Sequence, residues 1–149
     1  MEKETLIVYY SRSGISERLA KALQHKLGCD MDKIAYADKE QIAFGTAVVE
    51  ALRKATVPIK GSLHKPEDYK KIIFITPVWG GAMATPIRSY MTENKEHIQS
   101  YSLIVTCGKS GLSGSIKDAA AALGKEPVGS EQYLSSQVTK GAYNLERFI

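Results

Sequence analysis

Residues 5–23 read TLIVYYSRSGISERLAKAL, and this stretch governs how the rest of the chain is read. Thr5–Tyr10 (TLIVYY) is a continuous run of aliphatic, β-branched and aromatic residues with no polar alternation. Such a run fits a strand covered on both faces, as in a parallel sheet. From Ile15 the period changes. Ile15, Leu19, Leu23 and Leu27 recur every four residues with Ala22 beside them, so Ile15–Leu27 is a predicted helix, and Gly28 follows as a left-handed cap. Between the two lies SRSGIS, Ser11–Ser16, with three serines, an arginine and a glycine. A plain surface turn needs no such concentration of hydroxyls.

The same alternation continues outward. Ile72–Thr76 (IIFIT) and Ser102–Thr106 (SLIVT) are two further buried-strand runs. Asp30–Tyr36 (DMDKIAY) alternates and reads as a strand with one more exposed face, and Tyr133–Ser135 is a shorter candidate. Helices are expected from the Asp38/Gln41 capping box to about Ala55, stopped by Pro58, and from Pro86 to about Asn94. Ile116–Leu123, capped by Ser113 or Ser115 and ended by Gly124, and a short terminal helix over Asn144–Ile149 complete the set. Strands alternating with helices imply right-handed βαβ crossovers, hence an open parallel sheet with helices on both faces. Ligands of such sheets sit beyond the carboxyl ends of the strands, where strand order reverses. Three loops must therefore be read together: Ser11–Ser16, Pro77–Thr85 and Cys107–Ser115.

Length and composition narrow the field. A chain of 149 residues suits a single domain over 1–149 with its own core. No apolar stretch approaches the roughly 18 residues of a membrane helix, and MEKET lacks the order of a signal peptide, so the cytoplasm is the expected compartment. Cys29 and Cys107 lack the companion spacing of a metal site, and a disulfide is not expected in a reducing compartment. His25, His64 and His97 are expected on the surface. The net charge of +4, from 20 basic and 16 acidic residues, is spread out and lacks the aromatic interleaving of a nucleic-acid surface.

The first loop enters a helix directly. A helix N-terminus offers unpaired N–H groups and a partial positive charge, serine hydroxyls add donors, and Gly14 permits close approach. This is phosphate-cradle chemistry; alone, it fits a serine N-cap on an ordinary helix equally well. Neither GxxxxGK[ST] nor GxGxxG is present. The second loop, TPVWGGAMATPIRSY (76–90), places Trp79 before Gly80 and Gly81. Trp79 is either a flat plate for a planar ligand or a core residue under a glycine turn. The third loop, TCGKSGLSG (106–114), offers backbone N–H groups at a helix start. Arg88 either assists the phosphate or lies on its helix surface, the latter being the expectation. Phosphate cradle, aromatic plate and adjustable backbone together describe a site for flavin mononucleotide (FMN).

These segments resemble the flavodoxin-like superfamily, and in particular its short single-domain proteins of bacteria and archaea. YYSRSGISERLA (9–20) is similar to that family's phosphate loop, with Ile15 where asparagine is common and serines in place of threonines. TPVWGGAMATPIRSYM (76–91) resembles the family's T-P-[VI]-[WY]-x-G segment, VTCGKSGLSG (105–114) its second ring loop, and AFGTAVVEALRKATVPI (43–59) its helix between strands two and three. The resemblance implies a three-layer α/β sandwich with a five-stranded parallel sheet of order 2-1-3-4-5. It implies FMN as cofactor, with Ser11, Arg12, Ser13, Gly14, Ile15 and Ser16 around the phosphate. Pro77, Val78, Trp79, Gly80 and Gly81 would meet one side of the isoalloxazine, and Cys107, Gly108, Lys109 and Gly111 the other. No side chain is assigned as catalytic and none as a metal ligand.

The resemblance also implies redox work, since the flavin carries the chemistry and the protein orients it. Carrier flavodoxins are strongly acidic and are steered onto basic partners, whereas this chain is basic. That favours a small FMN-dependent oxidoreductase, or a carrier for acidic partners, with a quinone or a protein as acceptor. No nucleic acid or membrane is expected, and a homodimer is compatible with this reading. A phosphatase of similar topology would need a Cys-x5-Arg loop after strand one, and a receiver domain clustered acids there; SRSGIS has neither. A flavin-free interaction domain on the same scaffold stays open.

Overall fold

The structure, a computed structural model, describes residues 3–37, 46–49, 53 and 56–148. Strand β1 spans Lys3–Tyr9 and helix α1 Ile15–Leu27, with Gly28 at φ 62° as the left-handed cap expected from the sequence. The alternating segment forms two strands, β2 (Asp30–Lys33) and β3 (Ala35–Tyr36), the latter pairing antiparallel with β4 (Ile59–Lys60). There follow β5 (Tyr69–Trp79), β6 (Ala82–Met83), α2 (Thr85–Glu93), β7 (Tyr101–Cys107), α3 (Leu112–Leu123), β8 (Gly129–Leu134) and the short α4 (Ser135–Thr139). Most of the helix expected over Asp38–Ala55 lies outside the described residues, of which 46–49 are helical. The terminal helix is one 3-10 turn, Glu146–Phe148.

The main sheet has the order β2-β1-β5-β7-β8, all parallel, which is 2-1-3-4-5 when its long strands are counted along the chain. Among the described residues only β6 departs, folding back antiparallel on the end of β5. The continuous apolar runs are explained by cover on both faces. Leu6 and Val8 of β1, with Phe74, Leu103 and Val105, pack with Ile87, Tyr90 and Met91 of α2 and Ala119 and Leu123 of α3. Ile7, Ile73, Ile75 and Ile104 face the other way, onto Leu19, Ala20 and Leu23 of α1 with Val138 and Phe148. Successive side chains of a strand point to opposite faces, so two cores arise from one unbroken run.

Two polar residues of this scaffold lie deeper than expected. His64 is half-buried at the surface and engaged: its Nδ1 lies 2.6 Å from Oδ1 of Asp32, a carboxylate with no exposed surface that also accepts from the amides of Leu63 and His64. A buried carboxylate needs such partners. Arg88 is not on the surface. It is 3% exposed and grips Asp118 of α3 through Nε and Nη2, joining the two helices of one face. Tyr9, Tyr10, Tyr101 and Tyr133 are all buried.

Candidate functional site

The loops after β1, β5 and β7 emerge side by side at the carboxyl edge of the sheet, because those strands are consecutive neighbours. In the first loop Gly14, at φ 95°, is the N-cap of α1, a conformation that glycine adopts without steric cost. Its N–H donates to Ser11 Oγ at 3.0 Å, which leaves the Ser11 hydroxyl proton able to point outward. The first intrahelical bond is Arg18 N–H to the Gly14 carbonyl, so the amides of Ile15, Ser16 and Glu17 have no acceptor within the helix. Ser13 is exposed, and nothing stands within 4 Å of where a Cβ on Gly14 would lie. Open space, free amides and hydroxyls fit a phosphate.

Ser16 behaves differently from the other serines. Its side chain is buried and its Oγ lies 2.8 Å from Thr106 Oγ1 at the end of β7, so only its amide faces the loop. The one acid of this turn, Glu17, is already compensated: Lys33 donates to it at 2.7 Å and the Tyr9 hydroxyl at 3.1 Å. The Lys33 hydrogen bond, foremost, holds the Glu17 carboxyl below its ordinary range. Tyr9, desolvated and next to that carboxylate, is pushed well above the usual phenol value and stays a donor.

The second loop is a two-residue hairpin. Val78 pairs with Met83 and Trp79 with Ala82, leaving Gly80 (φ 61°) and Gly81 (φ 82°) as its corner, the double positive φ of a type I′ turn. Thr76 closes its base by accepting the Ala84 amide at 3.0 Å and donating to the Pro77 carbonyl at 2.9 Å. Trp79 is no plate. It is 2% exposed and meets Tyr10 edge-on, ring centres 5.4 Å apart, so the core reading of this residue holds. Its backbone alone stays at the loop.

The third loop is shorter than expected, because α3 starts at Leu112 behind Gly111 rather than at Ile116, and neither Ser113 nor Ser115 caps it. The Leu112 amide is instead taken by the Gln132 side chain at 3.3 Å, from a residue in β8 that no local pattern marks. Gly108 and Lys109 are exposed, while Cys107 is buried, which raises its thiol pKa. Loops two and three touch: a Cβ on Gly111 would lie 2.3 Å from Val78 Cγ1, and one on Gly114 would lie 2.1 Å from the Gly81 carbonyl oxygen. The structure thus brings Ser11–Ser16, Pro77–Gly81 and Cys107–Gly111 to one edge. It leaves Arg88 on the far side of the sheet from α1, engaged by Asp118.

No family model and no curated protein sequence matches this chain. Solved structures do. A flavoprotein of Lactobacillus acidophilus in complex with FMN aligns over 95% of this chain and 99% of its own, at a TM-score of 0.76 and 20% identity. A Bacteroides eggerthii protein assigned as a flavoprotein aligns over 98% of both chains, at 0.75 and 18%. Oxidised flavodoxin 2 of Bacillus cereus aligns over 98% of this chain and 99% of its own, at 0.53 and 15%. The fold is flavodoxin-like. The alignments run over nearly the whole of this chain and of each of those proteins. Among the described residues no helix is long and apolar enough to cross a membrane, and no group of three or more His, Cys, Asp or Glu is placed to hold a metal.

Proposed function

We propose that this protein binds FMN at the carboxyl edge of its sheet and works as a small redox protein. The observation that carries the reading is the first turn of α1. Three amides without helical acceptors, the Ser11 and Ser13 hydroxyls and the open side of Gly14 converge where strand order reverses. The complex of the Lactobacillus acidophilus protein with FMN supports the same choice of ligand. FMN, when bound, supplies the electron-transfer chemistry. This chain's residues hold and orient it. The loop amides and serines take the phosphate, with Arg12 beside them, and Lys33 keeps the Glu17 charge from opposing it. Pro77–Gly81 and Cys107–Gly111 are the two backbones that would border the ring. No side chain in these loops is placed as a nucleophile, and a buried Cys107 thiol with a raised pKa is poorly suited to that role.

The same reading makes the protein a small oxidoreductase, or a carrier for acidic partners, with a quinone or a protein as acceptor; the +4 net charge supports this over a carrier for basic partners. Titration of flavin-stripped protein into FMN, with riboflavin in parallel, tests the cofactor. Saturable quenching of flavin fluorescence by FMN, and much weaker quenching of riboflavin, is expected. Absence of quenching up to high micromolar protein would leave the scaffold as a flavin-free interaction domain.

A further inference from the structure

Nothing in the first loop's own sequence explains how α1 is held at the depth and angle its open amides require. Its flank is apolar: Leu19, Ala20 and Leu23 pack on Ile7, Ile75 and Ile104, contacts that resist lifting but tolerate sliding. Glu17 adds partly exposed hydrogen bonds to Tyr9 and Lys33, and the buried directional contact is the hydrogen bond between the hydroxyls of Ser16, the second residue of the helix, and Thr106. Ser16 and Thr106 are 2% and 3% exposed, so each hydroxyl would be stranded in the interior without the other. Thr106 lies two residues beyond Ile104, on the α1 face of β7, and pairs with Pro77 of β5. Cys107, the next residue, opens the third loop. This buried bond therefore ties the phosphate loop to the strand that carries a ring loop.

We propose that Thr106 is a positioning residue for phosphate recognition, acting through Ser16 on the free amides of the α1 N-terminus. The inference rests on the FMN reading above. Thr106 does not touch the ligand; it sets the register between the first turn of α1 and the ends of β5 and β7. A Thr106→Val change keeps shape and volume while removing the hydroxyl, so α1 gains freedom where the phosphate binds and the ring loops keep their backbone.

The test compares dissociation constants of FMN and riboflavin for the wild type, Thr106→Val, Thr106→Ser and Ser16→Ala. Thr106→Val and Ser16→Ala should each weaken FMN about tenfold, the scale set by one lost buried hydrogen bond, while leaving riboflavin within about twofold. Thr106→Ser, which keeps the hydroxyl, should bind FMN like the wild type. Should Thr106→Val fail to fold, Ser16→Ala breaks the same bond from the helix side and carries the same expectation. Equal weakening of FMN and riboflavin would reduce the pair to general packing and overturn the proposal, as would unchanged FMN affinity in both variants. A wild type that binds neither flavin, or binds both alike, would instead bring down the FMN reading itself.

Discussion

The loop after β1 and the loop after β5 both turn on glycine, yet they are built in opposite ways. Around Gly14 the chain is open: its conformation needs a left-handed residue, but no atom crowds it, and the neighbouring amides have no intramolecular acceptor in the helix. At Gly80 and Gly81 the corner itself is also exposed, with nothing within 4 Å of a Cβ on Gly81, but the hairpin behind it is closed. Its polar groups are matched through Thr76 and Ala84, and the third loop leans on it so tightly that Gly111 and Gly114 have no room for a Cβ. The first loop is a binding surface made by local geometry. The second is a hairpin shaped by its own ladder and packed along its flank by a segment distant in sequence. Phosphate recognition and ring recognition should therefore respond differently to perturbation.

The largest effect is expected behind the hairpin. Asp118→Ala removes the buried carboxylate that accepts from Nε and Nη2 of Arg88 in the interface of α2 and α3 and should destabilise the fold by about 3 kcal/mol, read as a lowered urea midpoint. The double change Arg88→Met with Asp118→Leu should recover most of it. Gly111→Ala comes next: a Cβ against Val78 at φ 145° should cost about 2–4 kcal/mol and weaken FMN and riboflavin together. Adding Val78→Ala should restore part of both losses, because it removes the atoms in the way.

Gly14→Ala sharpens the contrast. With nothing within 4 Å, only backbone strain remains, so stability should fall by about 1–2 kcal/mol while FMN suffers more than riboflavin. Equal losses for the two flavins would erase the distinction between the loops. The smallest effect concerns Lys33. Glu17 has a folded-state carboxyl held below its ordinary 4.5, so its stabilisation is present above that pH and fades as the pH falls through the lowered value. Lys33→Met should cost about 0.5 kcal/mol at pH 7, since the pair is partly exposed, and less at an acid pH below the lowered Glu17 value. Urea midpoints at the two pH values check this.

The features legible in the residue pattern alone are local and periodic. Unbroken apolar runs meant strands covered on both faces, a four-residue apolar repeat ended by glycine meant α1 from Ile15 to Leu27, and their alternation meant a parallel sheet with its ligand edge at three particular loops. Each of these rests on forces acting within one element or on the handedness of its crossover. What tertiary structure decided is the use made of each polar group. The same serine type faces outward at Ser13 and inward at Ser16, where its hydroxyl shares a hydrogen bond with that of Thr106, ninety positions away. Trp79 went to the core because Tyr10 and the folded-back β6 cover it, and Arg88 because α3 brings Asp118 to it. The start of α3 moved forward to Leu112 because Gln132 supplies the cap that local serines do not. A side chain's partner across the sheet has no signature in its own neighbourhood, since burial is a property of the assembled layers and not of the segment.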